Sequence, residues 1–303
     1  MPDATARFFD AMAPSYDDLE PWYQHFYARL HGLLRATLPP PAGPGARALD
    51  AGCGTGFQTA IVAEFGYRAH GLDLSAGSLA AAGARLPAAG LVRGDLRGLP
   101  YRDASFDAVV CAGSTLDFVD DPGRAIAELA RVMRPGAILF LEVERRFCLD
   151  LGWMLLSSLT GDPLGYGLRP AQAWALLARA PGRGVWLDYP GYPRLRLFTD
   201  RELRDMLRRV GLRVERAWGI HAVTNLLPST WLHRPRVPVG LRSLHRALCA
   251  VDAAVGGWRA TRALAPHAVV LARKGATNGA LDGTVGRLEA PRAGAREPED
   301  AGI

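Results

Sequence analysis

Apolar positions along the chain change their period several times, and each change marks an element. In residues 1–35 they recur at helical spacing: Phe8, Phe9 and Met12, then Trp22, Phe26, Leu30 and Leu33. Pro39-Pro40-Pro41 and Gly43-Pro44-Gly45 break that pattern. From residue 46 to 144 short apolar runs alternate with helical stretches. Strands are expected near 46–50, 67–72, 90–93, 106–111 and 137–143, with helices at 57–65 and 122–134 among those between them. Such alternation predicts a parallel sheet with helices on both faces. The rhythm stops after Glu144. Residues 145–198 carry Trp153, Tyr166, Trp174, Trp186, Tyr189 and Tyr192 among Pro and Gly, and are expected to form an insertion over the ligand edge of the sheet. Thr199-Asp200-Arg201-Glu202 is a helix start. Its helix should run to about Val210, stop at Gly211 and lead into a strand over 212–219. A second insertion, 221–265, precedes a last strand at 268–272. Residues 275–303, rich in Gly, Ala, Arg, Glu and Pro, have little to bury and are expected to be disordered.

Length and composition narrow the class. A chain of 303 residues can bury a full core in one large domain. No apolar run reaches the ~18 residues of a spanning helix, and the first residues lack the charged and apolar regions of a signal peptide. The four cysteines, Cys53, Cys111, Cys148 and Cys249, have no paired spacing, which favours reduced thiols and a cytoplasmic setting over disulfides. The net charge of +6 is carried almost wholly by arginine, with Lys274 the lone lysine. It could attract an acidic substrate, nucleic acid or anionic lipid. No basic run interleaved with aromatics marks a nucleic-acid surface, so nucleic acid is not expected as a partner. His and Asp do not assemble a metal-ligand motif, so no metal is expected.

The chemistry concentrates at residues 48–56, Ala-Leu-Asp-Ala-Gly-Cys-Gly-Thr-Gly, where a buried strand ends at an acid and breaks into a glycine turn before a helix. Gly52, Gly54 and Gly56 let a ligand approach the backbone, and the helix start offers free N–H groups. A dinucleotide site reads G-x-G-x-x-G. The tighter turn here, with Asp50 before it, suits a cofactor without a pyrophosphate, a cationic one included. Asp73 ends the next strand at the distance of a carboxylate that grips ribose hydroxyls. It could equally cap the following helix, a task Ser75 also fits.

Several segments taken in order resemble class I S-adenosylmethionine-dependent methyltransferases, of the broad group that includes ubiquinone and menaquinone methylases. They are Phe9-Asp10…Tyr16-Asp17, the glycine turn, Gly71-Leu72-Asp73-Leu74-Ser75, Gly94-Asp95-Leu96…Leu99-Pro100-Tyr101, Ser105-Phe106-Asp107 and Arg131-Val132-Met133-Arg134-Pro135-Gly136. The resemblance implies an α/β, Rossmann-like, seven-stranded mostly parallel sheet in the order 3-2-1-4-5-7-6, the seventh strand antiparallel. Residues 1–45 become lid helices, and 46–274 the catalytic domain with its two insertions on the substrate side. It implies S-adenosyl-L-methionine as cofactor, with Asp50, Gly52, Gly54 and Gly56 at the turn and Asp73 on the ribose diol. Leu74 lies beside Asp73. Asp95 falls on the adenine, Leu96 contributes a backbone contact, Ala112 sits beside the methionine tail, and Tyr16 on the lid.

Where many relatives carry Leu-Glu-His after the fourth strand, this chain has Leu116-Asp117-Phe118, so no base can be carried over there. His221 and His233, in a stretch that mixes polar and apolar residues after the sixth strand, could serve as general bases, with Thr224 or Asn225 orienting an acceptor. The same stretch could be a plain surface loop. The aromatic insertion suggests an apolar or planar acceptor, or else a small core of its own. The expected activity is methyl transfer to oxygen or carbon of a small-molecule or lipid-like acceptor, with peripheral membrane contact if the acceptor is a lipid quinone. Two other classes stand beside it: a methyltransferase-fold binding protein without catalysis, and a dinucleotide-dependent oxidoreductase.

Overall fold

The computed structural model describes residues 2–276 except 19, 179, 181, 189, 190 and 235. The disorder expected of the tail, and Tyr189, therefore concern positions outside the described residues, apart from 275 and 276. The chain opens with helices α1 (Pro2–Met12) and α2 (Pro21–Thr37). Strand–helix units follow: β1 (Arg47–Ala51), α3 (Phe57–Glu64), β2 (Arg68–Asp73), α4 (Ala76–Arg85), β3 (Gly90–Arg93), β4 (Phe106–Cys111), α5 (Pro122–Val132) and β5 (Met133–Glu144). After the first insertion come α8 (Asp200–Arg209) and β8 (Leu212–Ile220), and after the second β9 (His267–Lys274). Seven strands form one sheet in the order β3-β2-β1-β4-β5-β9-β8. Pairings from β3 to β5 are parallel, and β9 runs antiparallel to both β5 and β8. That is the order and the reversed last strand which the resemblance implies.

Strands buried on both faces need continuous apolar runs rather than alternation, and β5 supplies one over residues 137–141, before the buried Glu142. Alternate residues enter different cores. Leu139 and Leu141 pack with Leu49, Val109 and the inner faces of α5 (Ile126, Leu129) and α8 (Leu203, Leu207). Ile138 and Phe140 pack with Val110, Ile61 and α2 (Phe26, Leu30, Leu34). Helix α2 is thus part of the main core on one sheet face, whereas no residue of α1 joins either main core. The spacing of Phe26, Leu30 and Leu33 fits a lid helix or a core helix, so periodicity could not separate the two.

Helix α5 is capped by Asp121, whose side chain accepts from the Arg124 N–H at 3.0 Å. It ends at Val132, two residues before the expected boundary, and the chain enters β5 at once. Pro135 and Gly136 lie in the exposed start of that strand rather than stopping the helix. Thr199 caps α8 through the Glu202 N–H (3.2 Å). The Glu202 carboxylate turns away to the Gly184 N–H (2.8 Å) and Arg196.

The first insertion forms α6 (Leu149–Leu159), α7 (Pro170–Ala178) and the hairpin β6 (Val185–Leu187)–β7 (Leu195–Leu197). Its core is aliphatic: Leu151, Leu168, Leu176, Val185, Leu195 and Leu197, with Phe118 packed against it. The aromatics do not gather into one cage. Tyr166 is buried on Asp150 (2.7 Å), the Trp153 indole donates to the Asn225 carbonyl (2.9 Å), and Trp174 is exposed. The second insertion carries α9 (Val239–Val255) and α10 (Arg259–Leu264).

Candidate cofactor site

Parallel strands end together at one edge of the sheet, and the loops leaving β1, β2, β3 and β4 there enclose a cavity. It holds about 960 Å³ of empty space, part of it continuous with solvent. Gly52, Cys53 and Gly54 form its floor. Gly52 has φ +83°, and a Cβ there would fall 2.0 Å from Thr115 Cγ2, so only glycine lets the turn close on the β4 loop. Cβ space at Gly54 is open, which leaves its backbone facing the cavity. The turn is pinned from behind as the N–H groups of Gly52 and Cys53 donate to the Leu72 carbonyl at 2.7 and 3.0 Å.

Asp73 leaves β2 beside this turn. Its carboxylate accepts from the Gly54 N–H through Oδ2 and from the Ser75 N–H through Oδ1, both at 2.8 Å. Burial raises its pKa above the ordinary carboxylate value, and those backbone donors oppose the rise. Ser75 is the cap of α4, accepting from the Ser78 N–H at 3.0 Å. Cap and ligand-side carboxylate are therefore separate residues.

Among the expected site residues, Tyr16, Gly52, Gly54, Asp73, Leu74, Asp95, Leu96 and Ala112 line the cavity. Asp50 and Gly56 do not. Asp50 is fully buried behind the turn, where the Thr59 hydroxyl donates to it at 2.6 Å, and burial pushes its pKa up to about 7. Gly56 (φ +91°) begins α3 where a Cβ would crowd Ala82 at 3.2 Å, so its role is close packing of α3 on α4. Asp95 is held by Arg97 through two-oxygen contacts at 2.6 to 3.1 Å, and that hydrogen-bonded partner lowers its pKa. Arg97 and Asp120, 3.7 Å apart, complete a polar rim that no sequence motif announces.

Two carboxylates join the N-terminal segment to the glycine turn and to α4. Asp10 of α1 accepts from the Ser75 hydroxyl (2.6 Å) and the Gly77 N–H (2.9 Å). Asp17 accepts from the Thr55 hydroxyl (2.8 Å) and pairs with Arg85 (2.5 Å). Both belong to the Phe9-Asp10…Tyr16-Asp17 segment, which was legible as a motif but not as a latch. Between them the Tyr16 hydroxyl meets that of Tyr27 at 2.7 Å, both at the cavity wall. Phe9 packs edge-on against Phe118 at 5.3 Å, and Phe8 touches Tyr192 of the insertion at 5.3 Å. This wall is apolar, as the change to Phe118 suggested.

His221 and His233 do not line the cavity. His221 is fully buried at φ +71°, stacked face to face on Trp22 (3.6 Å, 4°), with Nδ1 2.7 Å from the Thr224 hydroxyl. Burial first, then the neighbouring histidines, hold its pKa well below the usual value. His233 stacks on Tyr23, and burial brings it down to about 4. A base must reach the proton it removes; these two rings are structural. The segment is no surface loop either, since Thr224 and Asn225 are fully buried.

A carboxylate cluster stands instead behind the β4 loop. Glu142 of β5 accepts from the N–H groups of Gly113 and Ser114 at 3.0 and 2.7 Å and meets His267 Nδ1 at 2.9 Å. Burial alone would lower the His267 pKa, but Glu142, Glu144 and Asp150 outweigh it and hold it raised. Glu144, at the ligand end of β5, accepts from the Ser114 hydroxyl at 3.2 Å, and its N–H donates to Asp117 (3.0 Å). Glu144 keeps part of its surface accessible, whereas Glu142 and Asp117 are sealed.

Residues 49–141 match the family model described as a methyltransferase domain. The chain is 36% identical over 138 residues to demethylmenaquinone methyltransferase of Renibacterium salmoninarum, covering 46% of this chain and 57% of that protein. It is 36% identical over 137 residues to malonyl-[acyl-carrier protein] O-methyltransferase of Serratia marcescens, covering 45% and 51%. The chain thus spans about half the length of the curated relatives it matches. Its fold is shared with Burkholderia thailandensis 1,6-didemethyltoxoflavin-N1-methyltransferase, solved with bound 1,6-didemethyltoxoflavin and S-adenosylhomocysteine, at TM-score 0.51 and 19% identity over 91% of each chain.

Proposed function

We propose that this chain, whose residues 49–141 match the methyltransferase domain model, transfers a methyl group from S-adenosylmethionine to a small-molecule or lipid-like acceptor. The observation that carries the proposal is Asp73, which lines the same cavity as the glycine turn and is bonded to its Gly54 N–H. The cavity fits the cofactor. Three carboxylates, Asp73, Asp95 and Asp120, face one cation, Arg97, which suits a ligand that carries positive charge, and the open backbone at Gly54 admits it closely.

When bound, S-adenosylmethionine supplies a methyl group already activated by its sulfonium. The protein's remaining work is alignment in a dry site, which can lower a barrier by several kcal/mol. Asp73 would hold the ribose hydroxyls, Leu74 and Leu96 would flank the adenine, and Gly52 and Ala112 would border the methionine end. Phe9 on the latched lid closes against Phe118 and excludes water. Of the acceptors in the relatives' names, demethylmenaquinone and malonyl-[acyl-carrier protein], the first is consistent with an acceptor that meets this apolar wall. An acceptor already ionised needs no base. One that must lose a proton would need to approach Glu144, a partly accessible carboxyl that does not itself line the cavity but accepts from Ser114, whose neighbours Gly113 and Thr115 do.

Calorimetric titration with S-adenosylmethionine, and separately with NADH, tests the class. Binding of the sulfonium alone, weakened at least about tenfold in Asp73→Ala, is the expected result, because the ribose hydroxyls then lose the carboxylate that accepts their charge-assisted bonds. A wild-type chain that binds only NADH, or neither, overturns it.

A further inference from the structure

Helix α9 is amphipathic in reverse. Its fully enclosed positions carry His245 and Asp252, while Leu244 (48% exposed) and Val251 (49%) stand in solvent. With the exposed Ala247 and Ala254 these fall at i, i+3, i+7 and i+10, a single apolar flank. Trp258, which caps α10, is 64% exposed. The same stretch is basic. Residues 234–262 hold Arg234, Arg236, Arg242, Arg246, Arg259 and Arg262, and their one acid is the buried Asp252. The first five arginines are exposed, and none forms a side-chain ion pair within 4.0 Å among the described residues.

We propose that α9 and the start of α10 form a docking surface for an anionic lipid bilayer, with Leu244, Val251 and Trp258 entering the headgroup boundary and the arginines meeting lipid phosphates. Charge complementarity selects the occupant. An apolar flank with cations on the opposite edge of the exposed face, as Arg242 and Arg246 stand from Leu244 and Val251, is the composition of an interfacial helix. A polynucleotide would use the arginines but gain nothing from exposed Leu244 and Val251.

The surface is tied to the cofactor site. Asp252 accepts from the N–H groups of His221 and Val223 at 3.0 and 2.8 Å and lies 3.5 Å from His25 of α2. Arg29 of α2 donates to the Ala253 carbonyl at 3.1 Å. Helix α2 also places Tyr27 at the cavity wall. Docking would therefore bring that wall near a lipid-borne acceptor; this last step rests on the proposed methyl transfer, whereas the docking itself does not.

Flotation of the full chain with phosphatidylcholine vesicles, with and without phosphatidylglycerol, is the test. The chain is expected to bind the anionic vesicles only, and less as salt rises. Leu244→Ser/Val251→Ser should weaken binding at least about tenfold, and Arg242→Ser/Arg246→Ser about fivefold per arginine. Both variants should keep the wild-type melting temperature and S-adenosylmethionine affinity. The proposal is overturned if the wild type ignores anionic vesicles, or if neither variant changes binding. Binding of duplex DNA more tightly than vesicles, lost in the arginine variant but unchanged in the apolar one, also overturns it. A chain that floats with vesicles but does not bind S-adenosylmethionine retains the docking surface and loses the methyl-transfer proposal. A chain that binds S-adenosylmethionine but does not float keeps methyl transfer and loses the docking surface.

Discussion

Glu144 and Asp117 show how far a residue's chemistry depends on its neighbours. Burial above all raises both carboxyls, and the charge of Glu144 raises Asp117 further, while His267 works against the rise at Glu144. Glu142 and Asp150 add to it. A base acts in its deprotonated form, so a raised pKa moves the onset of activity upward. With an acceptor that must lose a proton, kcat should climb with pH through a range above that of an ordinary carboxylate. Glu144→Gln should flatten that limb and lower kcat roughly a hundredfold, with cofactor affinity unchanged. A limb that survives in Glu144→Gln would assign it to Asp117 or His267, the groups packed nearest, and remove Glu144 from the reaction. No pattern in the chain marks Glu144, because it simply ends an apolar strand. His221 and His233 illustrate the converse. Their residue type invites an acid–base role, but direction and burial decide, and a sequence records neither. Asp73 and the glycines were legible because their spacing is itself the geometry of the turn.

At the scale of elements, the strands were readable almost to the residue. The expected bounds 106–111 coincide with β4, whose apolar run has no use but burial on both faces, and 90–93 coincide with the edge strand β3, none of whose residues is fully buried. Edge order and the antiparallel β9 came only through the resemblance, because periodicity carries no pairing information. The insertion misled: its aromatics draw the eye, but its core is built from leucines and one valine on short elements. The α1 lid is where element structure becomes function. Asp10 and Asp17 join it to α4 and to the glycine turn, and the partners that fix Asp10, the Ser75 hydroxyl and Gly77 N–H, lower its pKa so that it stays charged near neutrality. Asp10→Ala and Asp17→Ala should each weaken S-adenosylmethionine binding roughly tenfold, as charge-assisted bonds are lost. Limited proteolysis should then cut the N-terminal segment faster, with the rest of the domain intact. Unchanged affinity and cleavage in both variants would show that the aromatic contacts of Phe8 and Phe9 hold α1 without the latch.

Across the whole molecule, the cavity gathers segments far apart in sequence: the lid at Thr5 to Tyr16, the turn at 52–58, the ends of β2 and β3, and the β4 loop through Asp120. A ligand there bridges the N-terminal segment to the sheet, so its binding energy should appear as stability of the entire fold rather than of one loop. At a hundred times Kd, a ligand that binds only the folded chain adds about 2.7 kcal/mol. In a domain of this size that corresponds to a rise in melting temperature of roughly 5–10 °C. S-adenosylmethionine and S-adenosylhomocysteine should both produce it, in proportion to the logarithm of concentration, and NADH should not. The latch variants should show the smaller rise that their weaker affinity dictates at the same ligand concentration, and the full rise once concentration is scaled to their own Kd. A rise confined to the lid, seen as slower proteolysis of α1 with no change in global melting, would mean that the cavity and the core unfold independently. The shared β4 loop, held at once by Thr115 on the Gly52 carbonyl and by Glu142 from within the sheet, argues for one cooperative unit.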